Sequence, residues 1–277
     1  MPGHQIILTL ISGAIVGFSL GLLGGGGSIL AVPLLMYFVG VKDAHEVIGT
    51  SALAVSLNAY FNLIPHWRQG HVRWGPAVLF AIPGVIGAII GSDLGKLVNG
   101  KDLLFLFAIL MFVVAGLMIR RERANQTRQM VLETAEAASA AHVTEVPLKK
   151  RVLPVAVTGF AVGALSGFFG IGGGFLIVPG LIFSTGMSII QAIGSSLFAV
   201  GTFGLTTAVN YALSGWVSAA LAGEFILGGI LGGLGGAVLA TRLSRQKSLL
   251  NYLFAGVIFL MALYMIDKNL SVLHLHP

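Results

Sequence analysis

Long stretches without charge leave this chain very little choice of fold. The runs Ile6 to Leu23, Ile48 to Pro65, Gly75 to Ser92, Leu103 to Ile119, Leu153 to Phe169, Ala192 to Leu213, Val217 to Thr241 and Leu249 to Ile266 approach or exceed the length a helix needs to cross a bilayer, about 20 apolar residues. Only 9% of the 277 residues are charged, against roughly a quarter in soluble domains. No water reaches a backbone amide in hydrocarbon, so such segments must satisfy their own amides as helices. The sequence predicts an all-α integral membrane protein. Met1 to Gln5 carry no Lys or Arg and no small-residue cleavage site follows, so the first run is expected to stay as a span rather than leave as a signal.

Two shorter apolar runs, Ile29 to Val41 and Phe175 to Phe183, are too short to be ordinary spans, and each follows a glycine cluster. Those clusters belong to an internal repeat. Gly13, Gly17, Gly21, Gly24, Gly26, Gly27, Val32 and Pro33 recur 146 residues later as Gly159, Gly163, Gly167, Gly170, Gly172, Gly173, Val178 and Pro179. Farther along the offset becomes 145, where IGTSAL (Ile48 to Leu53) meets IGSSLF (Ile193 to Phe198). The organisation predicted from this is a first transmembrane repeat over 1–119, a cytoplasmic basic linker over 120–152 and a second transmembrane repeat over 153–277.

Charge then orients the copies. Arg68 and Arg73 lie in a first-half loop whose counterpart, Ala212 to Trp216, carries no charge, and in the next loop the bias reverses. With the linker inside, the 16 Lys and Arg divide so that only Lys42, Lys96, Lys101 and Lys268 fall outside, as the positive-inside rule expects. Equivalent loops then face opposite sides, which makes the repeats inverted. The expectation is eight to ten crossings, a Gly-rich helical hairpin in each repeat, and both termini outside. Inverted repeats with interrupted helices are the signature of secondary transporters. The net charge of +6 is read through this loop rule and not as nucleic-acid binding.

Helix N-termini attract anions, and glycine lets a ligand approach the backbone. The expected substrate-binding groups are therefore Gly24, Gly25, Gly26, Gly27 and Ser28 in the first cluster and Gly170, Gly172, Gly173 and Gly174 in the second. Polar stripes join them: Thr50, Ser51, Asn58 and Asn62 in one half, Ser195, Ser196, Thr202, Thr206 and Asn210 in the other. The competing reading makes the series Gly13, Gly17, Gly21 and Gly159, Gly163, Gly167 helix-packing glycines and the hydroxyls interhelical glue. Glu224 is the one ionisable residue well inside an apolar run, and it reads either as a proton-coupling group or as an interfacial or paired carboxyl. His45, His66 and His71 read as solvated loop residues, and His274 and His276 end the chain. No metal-ligand spacing and no ATP-binding G-x-x-x-x-G-K-[ST] motif occurs, and no serine has a base at hydrogen-bond spacing. The absence of cysteine removes disulfides, thiolate metal sites and cysteine nucleophiles. No cofactor, no metal and no enzymatic activity are expected.

The paired segments GLLGGGGSILAVPLL and GFFGIGGGFLIVPGL, followed by IGTSA and IGSSL, resemble the TauE/SafE sulfite exporter family over nearly the whole chain outside Arg120 to Arg151. The resemblance implies a carrier that exports sulfite, sulfoacetate or a related organosulfur anion across the bacterial cytoplasmic membrane. It places the family's Gly-rich motif on Gly24 to Ser28 and Gly170 to Gly174, and its Gly-Thr/Ser-Ser motif on Gly49 to Ser51 and Gly194 to Ser196. The expected partners are a small anionic substrate and the lipid bilayer, with the assembly open between monomer and homodimer. A carrier or channel for another solute, including a cation, and a non-transporting membrane scaffold stand as the alternatives.

Overall fold

Polar side chains in a membrane helix must face protein, and the two helices richest in them are the two most enclosed. In the computed structural model, which describes residues 3–135, 152–170, 174–242 and 247–269, α3 (Ala44–Arg68) and α8 (Ile189–Leu213) have 72% and 67% of their apolar windows buried. The other candidate spans have 39% to 44% buried. Around this pair stand α1 (Gly3–Leu23), α4 (Trp74–Leu97), α6 (Val152–Phe169) and α9 (Ala219–Arg242). Two short helices follow the glycine clusters: α2, over residues 24–38, and α7 (Gly174–Thr185). The remaining helices are α5 (Gly100–Ala135) and α10 (Lys247–Asn269). Among the described residues, seven helices are long and apolar enough to cross a membrane, and all regular structure is helical.

The helices fall into two compact units, which cut across the sequence repeats. One comprises 1–103 and 148–242, the other 104–147 and 243–277. In the second unit the Phe112 and Phe259 rings lie 5.1 Å apart. The first unit contains both glycine clusters.

Its seams are built by glycines, because lipid supplies no hydrophobic force between helices and close backbone approach must take its place. A Cβ on Gly13 or Gly17 of α1 would overlap the carbonyl of Phe225 or Gly229 on α9, and one on Gly228, Gly232 or Gly236 would strike the carbonyls of Leu10, Ala14 and Phe18. These contacts advance together along both chains, so α1 and α9 run parallel. The same happens between α6 and α4. Gly159, Gly163 and Gly167 press on Phe80, Gly84 and Ala88, while Gly87, Gly91 and Gly95 press on Phe160, Ala164 and Phe168. The packing role considered for Gly13, Gly17, Gly159, Gly163 and Gly167 is thus what their surroundings require. By contrast α3 and α8 run antiparallel, with Ser56 Oγ donating to the Gly201 carbonyl at 2.6 Å and Gly49 against the Trp216 carbonyl.

Three boundaries differ from expectation. The first short helix begins at the glycines themselves, as a 3-10 segment Gly24–Leu30, one α turn Ala31–Pro33 and a π turn Leu34–Phe38, rather than at Ile29. Without side chains to crowd one another, three glycines coil into the tight 3-10 form, and only Gly24 supplies the bend, at φ +67°. The α5 helix continues past Arg120 to Ala135, carrying helix into the expected linker, of which 136–151 lies outside the described residues. Finally, α4 extends to Leu97, so Lys96 belongs to a helix and not to a loop.

Because the α4–α6 seam has no room for a side chain, Gly163→Val is expected to lower stability by about 1–3 kcal/mol, read as a fall in Tm in detergent. Gly223→Ala, whose added Cβ meets nothing within 4 Å, should leave Tm in place.

Candidate functional site

The two glycine clusters, far apart in sequence, touch. A Cβ on Gly25 would lie 2.5 Å from the Gly174 Cα and 2.7 Å from Val200 at the middle of α8, while one on Gly174 would overlap the Gly25 carbonyl. Each cluster opens with a glycine in the left-handed region, Gly24 at φ +67° and Gly170 at φ +66°, a conformation that costs L-residues energy. These bends sit on equivalent residues: Gly24 packs on Ile193 of α8 and Gly170 on Ile48 of α3. Residues 171–173, with Gly172 and Gly173, lie outside the described residues.

Local chemistry fixes the first bend. The Gly25 N–H donates to Ser196 Oγ at 3.4 Å, and Ser28 Oγ donates back to the Gly25 carbonyl at 2.9 Å. Ser196 and Ser51 each donate to a carbonyl of their own helix, Ile193 at 2.7 Å and Ile48 at 3.0 Å. A helix begins with N–H groups that have no intrahelical acceptor. At α2 these stand where the second cluster arrives. The arrangement can offer amide donors to an acceptor-rich solute at a place where Gly25, Ser28 and Ser196 are all buried.

The other expected site residues do not converge on this bend. Thr50 Oγ1 accepts from the Ser218 N–H at 3.0 Å, and Ser195 Oγ accepts from the Arg73 N–H at 2.9 Å. Both therefore tie down the loops that lead into α9 and α4. Asn58 and Asn62 face α9, where glycines at 229 and 233 make room for them. Asn62 donates to the Asn58 carbonyl at 2.9 Å, while the fully buried Asn58 amide has no hydrogen-bond partner. Thr202 meets the Tyr60 hydroxyl of α3 at 3.2 Å, and Thr206 donates to the Thr202 carbonyl at 2.8 Å. Asn210 joins a separate polar group at the end of α4. It donates to Ser92 at 2.6 Å and Asp93 at 2.8 Å, and it accepts from Lys96, which pairs with Asp93 at 3.2 Å. The stripes thus lie on different faces, because the position 145 residues after Asn58 holds Phe203, which packs on Gly84.

His45 and His66 correct their reading as solvated loop residues, whereas His71 does stand in the α3–α4 connection, half-buried. His45 stands in the first turn of α3, where Asp43 Oδ1 caps the His45 and Glu46 N–H groups at 2.8 and 3.2 Å, and its ring stacks on Trp216 at 4.7 Å. His66 lies in the last turn of α3 and is 9% exposed, with its ring 5.8 Å from that of His71. Aligning the loops at the 145-residue offset exposes the signal, since His66 and His71 then fall on Tyr211 and Trp216. His274 and His276 lie outside the described residues. Glu224 is partly buried on α9, and its Oε2 has no hydrogen-bond partner.

Comparison with known proteins bears on the whole chain. Residues 9–265 match the family model described as sulfite exporter TauE/SafE. The chain belongs to the TauE/SafE family. A probable membrane transporter protein from Xylella fastidiosa (strain Temecula1) is 53% identical over 97% of this chain and 98% of its own. The corresponding protein of strain 9a5c is 54% identical over the same shares. The probable membrane transporter YunE of Bacillus subtilis is 26% identical over 87% of this chain and 91% of its own. No solved structure matches. Within the family, this chain is a multi-pass membrane transporter for a small substrate.

Thr50→Val, which keeps the side-chain shape, and Ser195→Ala, which removes only the hydroxyl, each strip the acceptor from a loop N–H and are expected to cost about 1–3 kcal/mol. Thermal denaturation of the two single variants and the double should show additive losses, because the two loops share no partner.

Proposed function

We propose that the protein is a secondary transporter that exports a small sulfur-containing anion, such as sulfite, sulfoacetate or a related organosulfonate, across the cytoplasmic membrane. The observation that carries this reading is the backbone contact of Gly25 with Gly174. It brings the amide-bearing bends of the two halves to one place, where an oxyanion would find N–H donors from both. The Ile48, Ile193 and Val200 side chains around the bends are uncharged, so helix dipoles and hydroxyls would hold the guest. Weak binding of that kind suits a carrier, which must also release its cargo.

Helix directions support an inverted pair of repeats. Parallel α1 with α9, parallel α4 with α6 and antiparallel α3 with α8 are the relations expected if one copy is turned over against the other. On that reading α1 and α6 enter from opposite sides, both termini are outside, the 120–152 linker is cytoplasmic, and rocking of one copy on the other gives alternating access. Glu224, with an unpartnered carboxylate oxygen, is the proton-coupling group in this scheme.

In proteoliposomes the chain should carry sulfite or sulfoacetate, and Gly25→Ala, which drives a methyl into Gly174, should cut the flux at least tenfold while Gly223→Ala keeps it. Uptake of sodium or nickel in place of the sulfur anions would reverse the sign of the cargo. Glu224→Gln should flatten the dependence of flux on a proton gradient, and an unchanged profile removes Glu224 from the scheme.

A further inference from the structure

The pair His66 and His71 stands where the end of α1, the start of α8 and the α3–α4 connection meet. Their rings are 5.8 Å apart and inclined at 53°, and the Nδ1 atoms of both are buried without a hydrogen-bond partner. The His66 ring lies beside the Gly21 carbonyl in the last turn of α1. In an unbroken helix that carbonyl would receive the Gly25 N–H, which here goes to Ser196 instead. The imidazole thus lies at the helix end that the glycine bend leaves open. The His71 backbone lies against α8, where a Cβ on Gly194 would come within 2.7 Å of its carbonyl, and the adjacent Ser195 holds the Arg73 N–H.

The equivalent place in the other half is built alike from different rings. Tyr211 and Trp216 lie 145 residues beyond His66 and His71, with ring centroids 6.0 Å apart. Gly49 packs on the Trp216 carbonyl as Gly194 packs on that of His71, and Thr50 holds Ser218 as Ser195 holds Arg73. Each of the two places thus holds a pair of planar rings. Phenol and indole do not change charge between pH 5 and 8, whereas imidazole does.

We propose that the His66–His71 contact is a proton-operated latch over one mouth of the solute path, shut while both rings are neutral and opened when they take up protons. The proposal rests on the transporter reading above but not on the identity of the cargo. From α1 the pair faces the Gly21 carbonyl and the negative end of the helix dipole, which accommodates one imidazolium. The sequences of α1, α2 and α8 contain no Asp, Glu, Lys or Arg. Arg68 and Arg73, on the same connection, add only positive charge. On α9, Glu224 adjoins Phe225 at the level of Gly13, which is eight residues before Gly21 and so on the order of 12 Å away along α1. On α4, Asp93 and Lys96 occupy the turn opposite to the end that carries Arg73. Among the described residues no carboxylate neighbours the pair, so a doubly charged pair sets like charges together and separation relieves them. On this proposal the closed contact binds fewer protons than the open one, so acidification favours opening and a rise in pH favours closure.

The chain has no cysteine, so a single reporter thiol can be placed in the full-length protein in lipid nanodiscs. Val72→Cys sits beside the latch at a position 9% exposed, and Gln69→Cys on the exposed part of the same connection is its reference. The ratio of their maleimide-labelling rates cancels the intrinsic pH dependence of thiols. That ratio should rise at least threefold between pH 7.5 and pH 5.5. It should stay flat when His66→Tyr and His71→Trp copy the other half, and also in His66→Gln/His71→Gln, which serves if the aromatic pair does not fold. A flat ratio with both histidines present, or the same rise after their replacement, overturns the latch. No solute enters the measurement, so its failure leaves the anion reading standing, and a failure of sulfite flux leaves the latch standing.

Discussion

Backbone laid directly on backbone is the constraint from which the rest of the first unit follows. Between lipid-embedded helices there is no hydrophobic gain from association, so van der Waals contact at short range has to supply it. Gly13, Gly17 and Gly228 on one seam, and Gly163, Gly87 and Gly91 on the other, remove the side chains that would hold the axes apart. Once α1 lies on α9 and α6 on α4, the space between the seams is filled by α3 and α8. Their polar residues are thereby enclosed in protein, where Ser56 finds the Gly201 carbonyl and Tyr60 finds Thr202.

The same device, used once more at Gly25 and Gly174, joins the two interrupted regions. There it does something a seam does not. A seam glycine touches a helix whose amides are already engaged, whereas the bend at Gly24 ends one helix and starts another, releasing amides and carbonyls. Ser196 takes one released amide, and the His66 ring lies beside one released carbonyl. On the two proposals above, an acceptor-rich solute and a proton-responsive side chain would act at opposite ends of one helix break, with no long pathway needed between them.

The two halves share a frame but not a lining. Thr50 and Ser195 perform one task at equivalent positions, and Tyr211 with Trp216 answers His66 with His71. Yet Asn58 is answered by Phe203, so an unpaired buried amide faces α9 on one side while an aromatic ring fills the matching space against α4 on the other. Packing glycines recur in both sequence repeats because each seam needs them, whereas the repeats differ where a side chain only has to fill volume.

Much of this was legible in the residues themselves. Apolar run length and the absence of charge dictate membrane helices, because unpaired amides are too costly in hydrocarbon for any other local structure. The recurrence of Gly13, Gly17 and Gly24 at one offset announces two copies, and the glycine clusters mark the places where a helix stops. Which side of a helix meets which neighbour was decided only by the assembled seams. Spacing groups Asn58 and Asn62 with Ser51, but the contact of α9 with α3 turns the asparagines toward Gly229 and Gly233 and leaves Ser51 near the bends. Likewise the alignment of His66 with Tyr211 at the repeat offset marks an aromatic position, but what encloses the ring is decided only when the end of α1 is laid over it. Helix formation is set by each segment's own backbone and solvent, whereas the partner of a side chain is set by a surface contributed from a distant part of the chain.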